Sequence, residues 1–248
     1  MALALVHGHG EHSGRYAGFG TWFAKRGIAV YAGDLRGHGR SEGARGHLLN
    51  WGEAIGDALA IGAVADREQP GAEVVPVGHS VGGSIVLSAV VRGRFRPARF
   101  VVSAPALRVA QSVPGWKRRT SDIASRWVPA LAFPTGLDPV GISRDEDVVA
   151  AYRSDPLVHS RMSARFYTEW MAANREVLER AAGIATPFLA THGRDDPIID
   201  VHATEELCAA AGPAATLRVY EGMLHEPYNE LGHEKVYEDL LSWLEKAS

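Results

Sequence analysis

The chain has 248 residues, a length that suits one large α/β domain as well as two small ones. Its apolar fraction of 46%, charged fraction of 22% and net charge of −3 are ordinary for a globular protein. No run of like charges is long enough for a nucleic-acid-binding arm, and the short basic stretch at 117–119 is interpreted as a solvated face. The single cysteine, Cys208, excludes an internal disulfide, and no apolar run approaches the roughly 18–20 residues of a membrane span.

Short β-branched runs alternate with longer helical patterns along most of the chain. The predicted strands are Leu3–His7, Ala29–Gly33, Val74–Gly78, Phe100–Ser103, Pro187–His192 and Thr216–Tyr220. The predicted helices lie near Tyr16–Arg26, Trp51–Glu68, Gly82–Val91, Val201–Ala211 and Glu234–Lys246. Right-handed crossovers between such strands predict a doubly wound, mostly parallel sheet of about six strands, with helices on both faces.

Residues from Pro105 to about Ile184 interrupt this alternation, because no convincing strand is visible there. The interval is rich in aromatic residues and prolines, and an unstructured loop of this length would be unusual in a compact domain. We therefore predict a helical lid, inserted at about 105–184 after the strand that ends near Ser103. The whole chain, 1–248, is expected to be one α/β domain that carries this lid.

Ser80 lies in the segment GHSVG, between a predicted strand and a predicted helix. A strand that turns abruptly into a helix forces strained dihedral angles on the corner residue, and the flanking Gly78 and Gly82 leave room for the turn. The hydroxyl then projects at the carboxyl end of the sheet, where the helix amino terminus faces a developing anion. The motif alone is weak, and a surface turn is the alternative, but this context makes Ser80 the candidate nucleophile.

A serine hydroxyl needs a base at neutral pH, and several of the eleven histidines lie late enough in the chain to supply it. His225 follows the last predicted strand through a short loop, so we expect it at the same sheet edge as Ser80. His192 ends a strand and can cap the turn there. His233 begins the last helix and is expected to be solvated.

The acid is expected directly after the strand Pro187–His192, where Asp195 and Asp196 are adjacent. A carboxylate that orients an imidazole is buried, and only one of two neighbours can point inward. The residues by themselves do not decide between the two.

A tetrahedral anion requires preorganised backbone N–H donors. The amide of Val81, directly after Ser80, is one candidate. The amide of His9, in a glycine-rich loop after the first strand, is the other. His7, His9 and His12 also lie close together in this loop, but they lack the acid–histidine spacing of a helical metal site, so neither a metal nor another cofactor is expected.

Six segments together resemble one family of hydrolases. They are HGHGEHSGRY (7–16), DLRGHGRS (34–41), GHSVGG (78–83), LDPVGISRD (137–145), YRSDPLV (152–158) and YEGMLHE (220–226). In this combination they are similar to the monoacylglycerol lipases, which belong with the lysophospholipase-like hydrolases also described as serine aminopeptidase S33. The likeness covers essentially the whole chain and implies the α/β-hydrolase fold.

The resemblance implies a catalytic triad of Ser80, Asp196 and His225. It also implies that the oxyanion is held by the backbone amides of His9 and Val81.

It implies further that Glu11 and Arg15 shape a polar pocket for the glycerol head group, and that the lid residue Tyr152 lies near the substrate. The alternative for Glu11 and Arg15 is an internal salt bridge that stiffens their loop, and both descriptions can hold. Asp195 is then an exposed turn residue.

Two departures from the family pattern bear on these expectations. Family members carry an amino-terminal β-hairpin before the strand that begins here at Leu3, so the strand Ala29–Gly33 would lie at an exposed sheet edge. Either the natural start lies upstream of Met1, or a homo-oligomer covers that edge. Tyr228 stands where some animal members have a histidine facing glycerol, which leaves head-group recognition at that position open.

The predicted reaction is hydrolysis of monoacylglycerols to fatty acid and glycerol through an acyl-enzyme. The rivals are a lysophospholipase or general carboxylesterase of the same fold, a peptidase, and a non-catalytic ligand-binding relative. The expected partner is a small lipid ester, with no nucleic acid and with transient membrane-surface contact through the lid. No basic region precedes the first apolar run, so no secretory signal is recognised, and we expect a cytoplasmic or peripherally membrane-associated protein.

Overall fold

The β-branched runs of the sequence form the strands of a central parallel sheet. The computed structural model describes residues 1–111 and 115–246, and for residues 117 and 118 the backbone alone. The strands in this part of the chain are β1 (Ala2–Val6), β2 (Ala29–Ala32), β3 (Val74–His79), β4 (Phe100–Ser103), β5 (Ala132–Pro134), β6 (Arg161–Ser163), β7 (Phe188–Gly193) and β8 (Ala215–Tyr220). The basic stretch interpreted as a solvated face lies partly outside the described side chains.

The six-stranded sheet has the order β2-β1-β3-β4-β7-β8, and every pairing in it is parallel. The chain moves from β1 outward to β2 and then back across β1 to β3, so the order reverses there. Val6 pairs with Gly78 and Ser103 pairs with Thr191, which brings the carboxyl ends of these strands to one edge. Ligands of open α/β sheets bind beyond that edge. The predicted α/β-hydrolase architecture and its six strands are confirmed.

Helices cover both faces of this sheet. The described helices are α1 (Ala17–Ala24), α2 (Trp51–Glu68), α3 (Val81–Val91), α4 (Gly115–Trp127), α5 (Glu146–Ser154), α6 (Ala164–Glu179), α7 (Val201–Ala211) and α8 (His233–Lys246). Phe19 of α1 and Leu240 of α8 are buried on one face. Trp51 of α2, Ile85 of α3 and Leu207 of α7 are buried on the other. None of the described helices is both long and apolar enough to cross a membrane.

The predicted lid region contains α4, β5, α5, β6 and α6. Helix α6 belongs to the main core as well, because Phe166, Trp170 and Val177 on it are buried among the residues of α2 and α3. Trp170 Nε1 donates to the Ala106 carbonyl oxygen at 2.9 Å, which fastens α6 to the segment after β4. The division of the chain into one domain with a lid stays a prediction.

The expectation that the interval 105–184 contains no strand is wrong. Ala132 pairs with Ser163 and Pro134 with Arg161, so β5 and β6 form a small antiparallel sheet outside the main one. Each strand has three residues, too few for an alternating pattern to appear in the sequence.

Strand β2 lies at an edge of the main sheet, as expected. Within 1–111 and 115–246 it pairs with β1 alone. Its residues Ala29–Tyr31 are half-buried and Ala32 is exposed. A homo-oligomer that covers this edge stays a prediction.

Candidate active site

Ser80 lies at the corner between β3 and α3. Its φ of 52° and ψ of −120° fall in a region that costs a residue with a side chain about 1–3 kcal/mol. A Cβ atom on Gly78 would lie 2.5 Å from the Gly82 carbonyl oxygen, and one on Gly82 would lie 2.1 Å from the Val6 carbonyl oxygen. Close backbone contacts therefore require glycine at both positions. This confirms the prediction that Gly78 and Gly82 leave room for the turn.

Three side chains from separate loops form one hydrogen-bonded chain at the carboxyl edge of the sheet. Ser80 Oγ lies 3.0 Å from His225 Nε2, and His225 Nδ1 lies 2.7 Å from Asp196 Oδ2. Ser80, Asp196 and His225 follow β3, β7 and β8, so parallel topology brings them together across as many as 145 positions. All three are buried, whereas Asp195 is exposed as expected. The structure thus brings together the three residues predicted as a triad.

The Asp196 carboxylate is saturated with hydrogen bonds. Its Oδ1 accepts from the amides of Ile198 at 2.8 Å and Ile199 at 2.9 Å. Its Oδ2 lies 2.7 Å from His225 Nδ1 and 3.0 Å from His192 Nε2. Burial would raise the pKa of Asp196, but the two histidines hold it well below its ordinary value. This carboxylate therefore stays ionised throughout the physiological range.

The surroundings of His225 raise its pKa. Burial would lower its pKa, but the Asp196 carboxylate leaves that pKa above the ordinary value for histidine. The ring of His79 lies 5.0 Å from the ring of His225, centre to centre. Burial and the neighbouring His225 lower the pKa of His79 to about 3. His79 is thus neutral, and an imidazolium at His225 meets no second cation there.

The amide of Val81 and the loop after β1 adjoin Ser80. Val81 is the first residue of α3, where an N–H has no acceptor within the helix. A Cβ atom on Gly8 would lie 3.0 Å from Ser80 Cβ, so the loop after β1 packs directly against the hydroxyl-bearing residue. The Gly8 amide is already used, since it donates to Glu11 Oε1 at 2.6 Å, and the next amide along is that of His9. In the part of the chain that the structure describes, no group of three or more His, Cys, Asp or Glu side chains has the arrangement of a metal site.

A buried ion-pair cluster joins the loop after β1 to the loop after β8. Arg15 Nη1 donates to Glu11 Oε2 at 2.6 Å and to Glu226 Oε1 at 2.7 Å, and Nη2 donates to Glu226 Oε2 at 2.7 Å. Tyr16 donates its hydroxyl to Glu11 Oε1 at 2.7 Å. Burial would raise the pKa of Glu11, but Arg15 lowers it to about 2. The loop-stiffening ion pair is therefore present, and the head-group role of Glu11 and Arg15 stays a prediction.

Tyr152, on α5 of the lid, lies against the same cluster. The Arg15 Cζ atom is 4.7 Å from the centre of the Tyr152 ring. Tyr152 also lines a cavity of about 220 Å³, whose walls include Leu137, Asp155 and His159. The lid thus reaches the edge of the site through this tyrosine, while contact between Tyr152 and a substrate stays a prediction.

Glu226 has a structural role that no sequence pattern predicted. It directly follows His225 and completes the enclosure of Arg15. The one sequence signal for Glu226 was its position beside a candidate catalytic histidine. Its partner Arg15 lies 211 positions away, and a local sequence pattern cannot connect residues so far apart.

Tyr228, whose position left head-group recognition open, is 1% exposed. Its ring centre lies 4.9 Å from that of Phe19 on α1. Tyr228 is therefore part of the aromatic core beneath the site.

The turn-capping interpretation of His192 is wrong. His192 is completely buried, with Nε2 3.0 Å from Asp196 Oδ2 and Nδ1 2.9 Å from Thr204 Oγ1. Both ring nitrogens are thus engaged by side chains rather than by the turn. The side chain of His233 is 37% exposed, and its Nδ1 lies 2.9 Å from the Glu230 carbonyl oxygen.

Comparison with known proteins identifies the family of the chain. Residues 1–232 match the model of the family described as serine aminopeptidase, S33. The chain is 33% identical to a monoacylglycerol lipase of Mycolicibacterium smegmatis over 244 residues, which cover 98% of this chain and 87% of that protein. The crystal structure of Paleococcus ferrophilus monoacylglycerol lipase is 30% identical, with a TM-score of 0.90 over 100% of this chain and 95% of that one.

A soluble variant of monoglyceride lipase from Saccharomyces cerevisiae, solved with a substrate analog, has a TM-score of 0.89. The two proteins are 21% identical, and the match covers all of this chain and 86% of the yeast protein. At this identity the likeness shows the fold alone. The family match spans nearly all of the chain, including β3 with its turn into α3 and the loops that carry Asp196 and His225. The chain belongs to the serine aminopeptidase S33 family of α/β hydrolases.

Proposed function

We propose that this protein hydrolyses monoacylglycerols to a fatty acid and glycerol through an acyl-enzyme. Ser80 attacks the acyl carbonyl while His225 Nε2 takes its proton, and Asp196 stabilises the imidazolium. The amides of His9 and Val81 stabilise the tetrahedral anion. His225 then gives the proton to the departing glycerol oxygen, and water repeats the sequence to release the fatty acid.

The observation that carries this proposal is the buried chain of hydrogen bonds from Asp196 through His225 to Ser80. Distances of 2.7 Å and 3.0 Å are within the reach that general-base catalysis requires. The raised pKa of His225, which Asp196 maintains against the effect of burial, suits a group that takes up a proton during the reaction.

The charge beside the site favours a glycerol head group over a phosphate. Glu11 and Glu226 oppose the single guanidinium of Arg15, so the cluster has excess negative charge. A phosphodiester close to this cluster would be repelled, whereas an uncharged glycerol would not. This favours monoacylglycerols over lysophospholipids as substrates.

The test is a hydrolysis assay with monoolein and with a short p-nitrophenyl ester. Ser80→Ala should lower kcat by at least about 10⁴-fold on both substrates. Ser88→Ala is the matched control, since this buried hydroxyl on α3, the helix that follows Ser80, has no hydrogen-bond partner among the described residues. Ser88→Ala should keep nearly full activity, and an active Ser80→Ala variant would refute the role of Ser80.

A substrate panel separates the rivals. Monoolein should be turned over faster than lysophosphatidylcholine and triolein, and no amino-terminal residue should be released from peptide amides. Faster turnover of lysophosphatidylcholine would replace the proposal with a lysophospholipase. Failure of a fluorophosphonate probe to label Ser80 would support a non-catalytic relative instead.

The same proposal includes transient contact between the lid and a lipid surface. Large apolar side chains are 46–74% exposed on α4 and the segment after it: Trp116, Ile123, Trp127, Val128, Leu131 and Phe133. The three of them on α4 recur at spacings of seven and four residues, so they share one helix face. Such a patch marks an interaction surface, and the lipid substrate makes a membrane the fitting partner. A cytoplasmic location of the protein stays a prediction.

Vesicle binding tests the lid contact. Ile123→Ser with Trp127→Ser should weaken sedimentation with phosphatidylcholine–phosphatidylglycerol vesicles and slow hydrolysis of dispersed monoolein. Hydrolysis of a soluble short-chain ester should not change. Leu49→Ser is the control, because Leu49 is 60% exposed but lies outside the lid. Equal binding of the lid and control variants would refute the contact.

A further inference from the structure

A second histidine lies against the catalytic carboxylate. His192, the fifth residue of the six-residue β7, is 0% exposed, and its Nε2 lies 3.0 Å from Asp196 Oδ2. The same oxygen lies 2.7 Å from His225 Nδ1. Two imidazoles, one of them outside the proposed triad, therefore share one carboxylate oxygen, and the proposed reaction uses only His225.

The hydrogen-bond partners of His192 determine its tautomer. An ionised carboxylate only accepts, so Nε2 of His192 carries the hydrogen that points to Asp196. Its Nδ1 lies 2.9 Å from Oγ1 of Thr204, a completely buried residue of α7. With the Thr204 hydroxyl donating to Nδ1, the ring is held in the Nε2–H form. Thr204 thus aims the donor of His192 at Asp196.

This donor has two consequences for the site. The carboxylate is held by His192 and by the amides of Ile198 and Ile199, so its position does not depend on His225. A hydrogen bond on Oδ2 also withdraws negative charge from the oxygen that His225 uses.

We propose that His192, oriented by Thr204, is a positioning residue that fixes the Asp196 carboxylate and moderates its attraction for the His225 proton. This inference rests on the proposed function, because it assumes that His225 is the base.

The proposal predicts the direction of a pH effect. A base must be neutral to act, so the acid limb of the profile of kcat/KM against pH reports the pKa of His225. Without the His192 donor, the Asp196 charge acts more fully on His225, and that pKa rises. The acid limb should therefore move to higher pH.

Other charged and titratable groups also face His225. His79 faces it from β3, and Glu11 faces it from the loop after β1. Glu226 follows His225 in the chain, and Arg15 lies between Glu226 and Glu11. All of them are retained in the variants below, so their effects cancel in the comparison.

The experiment compares His192→Phe with His192→Gln in the full chain, using p-nitrophenyl butyrate. Phenylalanine keeps a ring but removes the donor, whereas the glutamine amide can still donate to Asp196. We expect kcat for His192→Phe to fall about 10-fold, far less than the roughly 10⁴-fold that follows disabling of the acid itself. Its acid limb should shift upward by about half a pH unit or more. His192→Gln should stay within about threefold of the parent, with an unshifted acid limb.

Thr204→Val provides a second test that keeps the side-chain shape and removes only the hydroxyl. It should shift the acid limb in the same direction by a smaller amount, and it decides the matter should His192→Phe fail to fold. An unchanged or lower acid limb in folded His192→Phe, or equal impairment of His192→Gln, overturns the positioning role.

Failure of the proposed function would look different. The parent protein would then lack esterase activity and fluorophosphonate labelling at Ser80, before any His192 variant is compared.

Discussion

Replacing Arg15 with methionine is expected to destabilise the protein by about 3–5 kcal/mol. The Arg15 side chain is 9% exposed, and those of Glu11 and Glu226 are each 4% exposed, so water cannot readily replace a lost partner. Methionine keeps most of the apolar stem but leaves both carboxylates without the hydrogen bonds that the guanidinium donates. Breaking a buried pair from one side is costly because an uncompensated charge remains in a medium of low dielectric constant.

The loss of stability in Arg15→Met should grow with pH. Burial raises and the Arg15 charge lowers the pKa of Glu11, which is about 2 in the native protein. Without Arg15 burial prevails, so this pKa rises above the unfolded value of about 4.3. The folded variant then binds more protons than its unfolded state, and its stability falls as pH rises. The difference from the parent protein should therefore be larger at about pH 8 than at about pH 5.

Urea denaturation followed by tryptophan fluorescence measures both effects. Arg15→Met combined with Glu226→Gln should recover part of the loss, because one of the two unpaired charges is removed. Arg180→Met is the control, since Arg180 is 54% exposed and pairs with Glu176 at the surface, where a salt bridge contributes about 0–1 kcal/mol. A loss at Arg15 no larger than that at Arg180, or one independent of pH, would refute the reasoning.

Two further predictions concern stability. Gly82→Ala should lower the free energy of unfolding by about 2–3 kcal/mol or more, because its Cβ would lie 2.1 Å from the Val6 carbonyl oxygen. Gly56 lies on the exposed surface of α2, where an added Cβ would contact no neighbouring group within 4 Å. Gly56→Ala should therefore stabilise the protein by about 0.5–1 kcal/mol. Equal melting temperatures for the two variants would contradict this account. Burial and the neighbouring His9 hold the pKa of His38 well below its usual value, so its contribution to stability is full above about pH 6.5 and is lost as pH falls. His38→Phe should reduce the slope of stability against pH by about 1.4 kcal/mol per pH unit between about pH 6.5 and 5, and denaturation curves with unchanged slopes would count against it.

Much of the fold could be predicted because it depends on local patterns. The β-branched runs identify strands, and the glycines around Ser80 identify the turn into α3, since both signals lie within a few consecutive residues. The pairing of β5 with β6 could not be predicted, because three residues per strand give no periodicity. Contacts between residues far apart in the chain could not be predicted either, and the Arg15–Glu226 ion pair is the clearest example.

The choice between Asp195 and Asp196 shows where sequence reasoning stops. Position in the chain places both at the carboxyl edge of the sheet, and only the family resemblance favoured one of them. In the structure Asp196 is buried against two histidines while Asp195 is exposed, because the turn after β7 directs just one of the two side chains inward.

The sequence by itself determined the order of strands and helices outside the lid, the strained turn at Ser80 and the candidate base at His225. Each depends on neighbouring residues or on the direction of parallel strands. Tertiary structure alone decided that Arg15 lies between Glu11 and Glu226, and that His192 shares an oxygen of Asp196 with His225. Those contacts arise from the packing of separate loops at one sheet edge, and burial there gives their charges and hydrogen bonds their energetic weight.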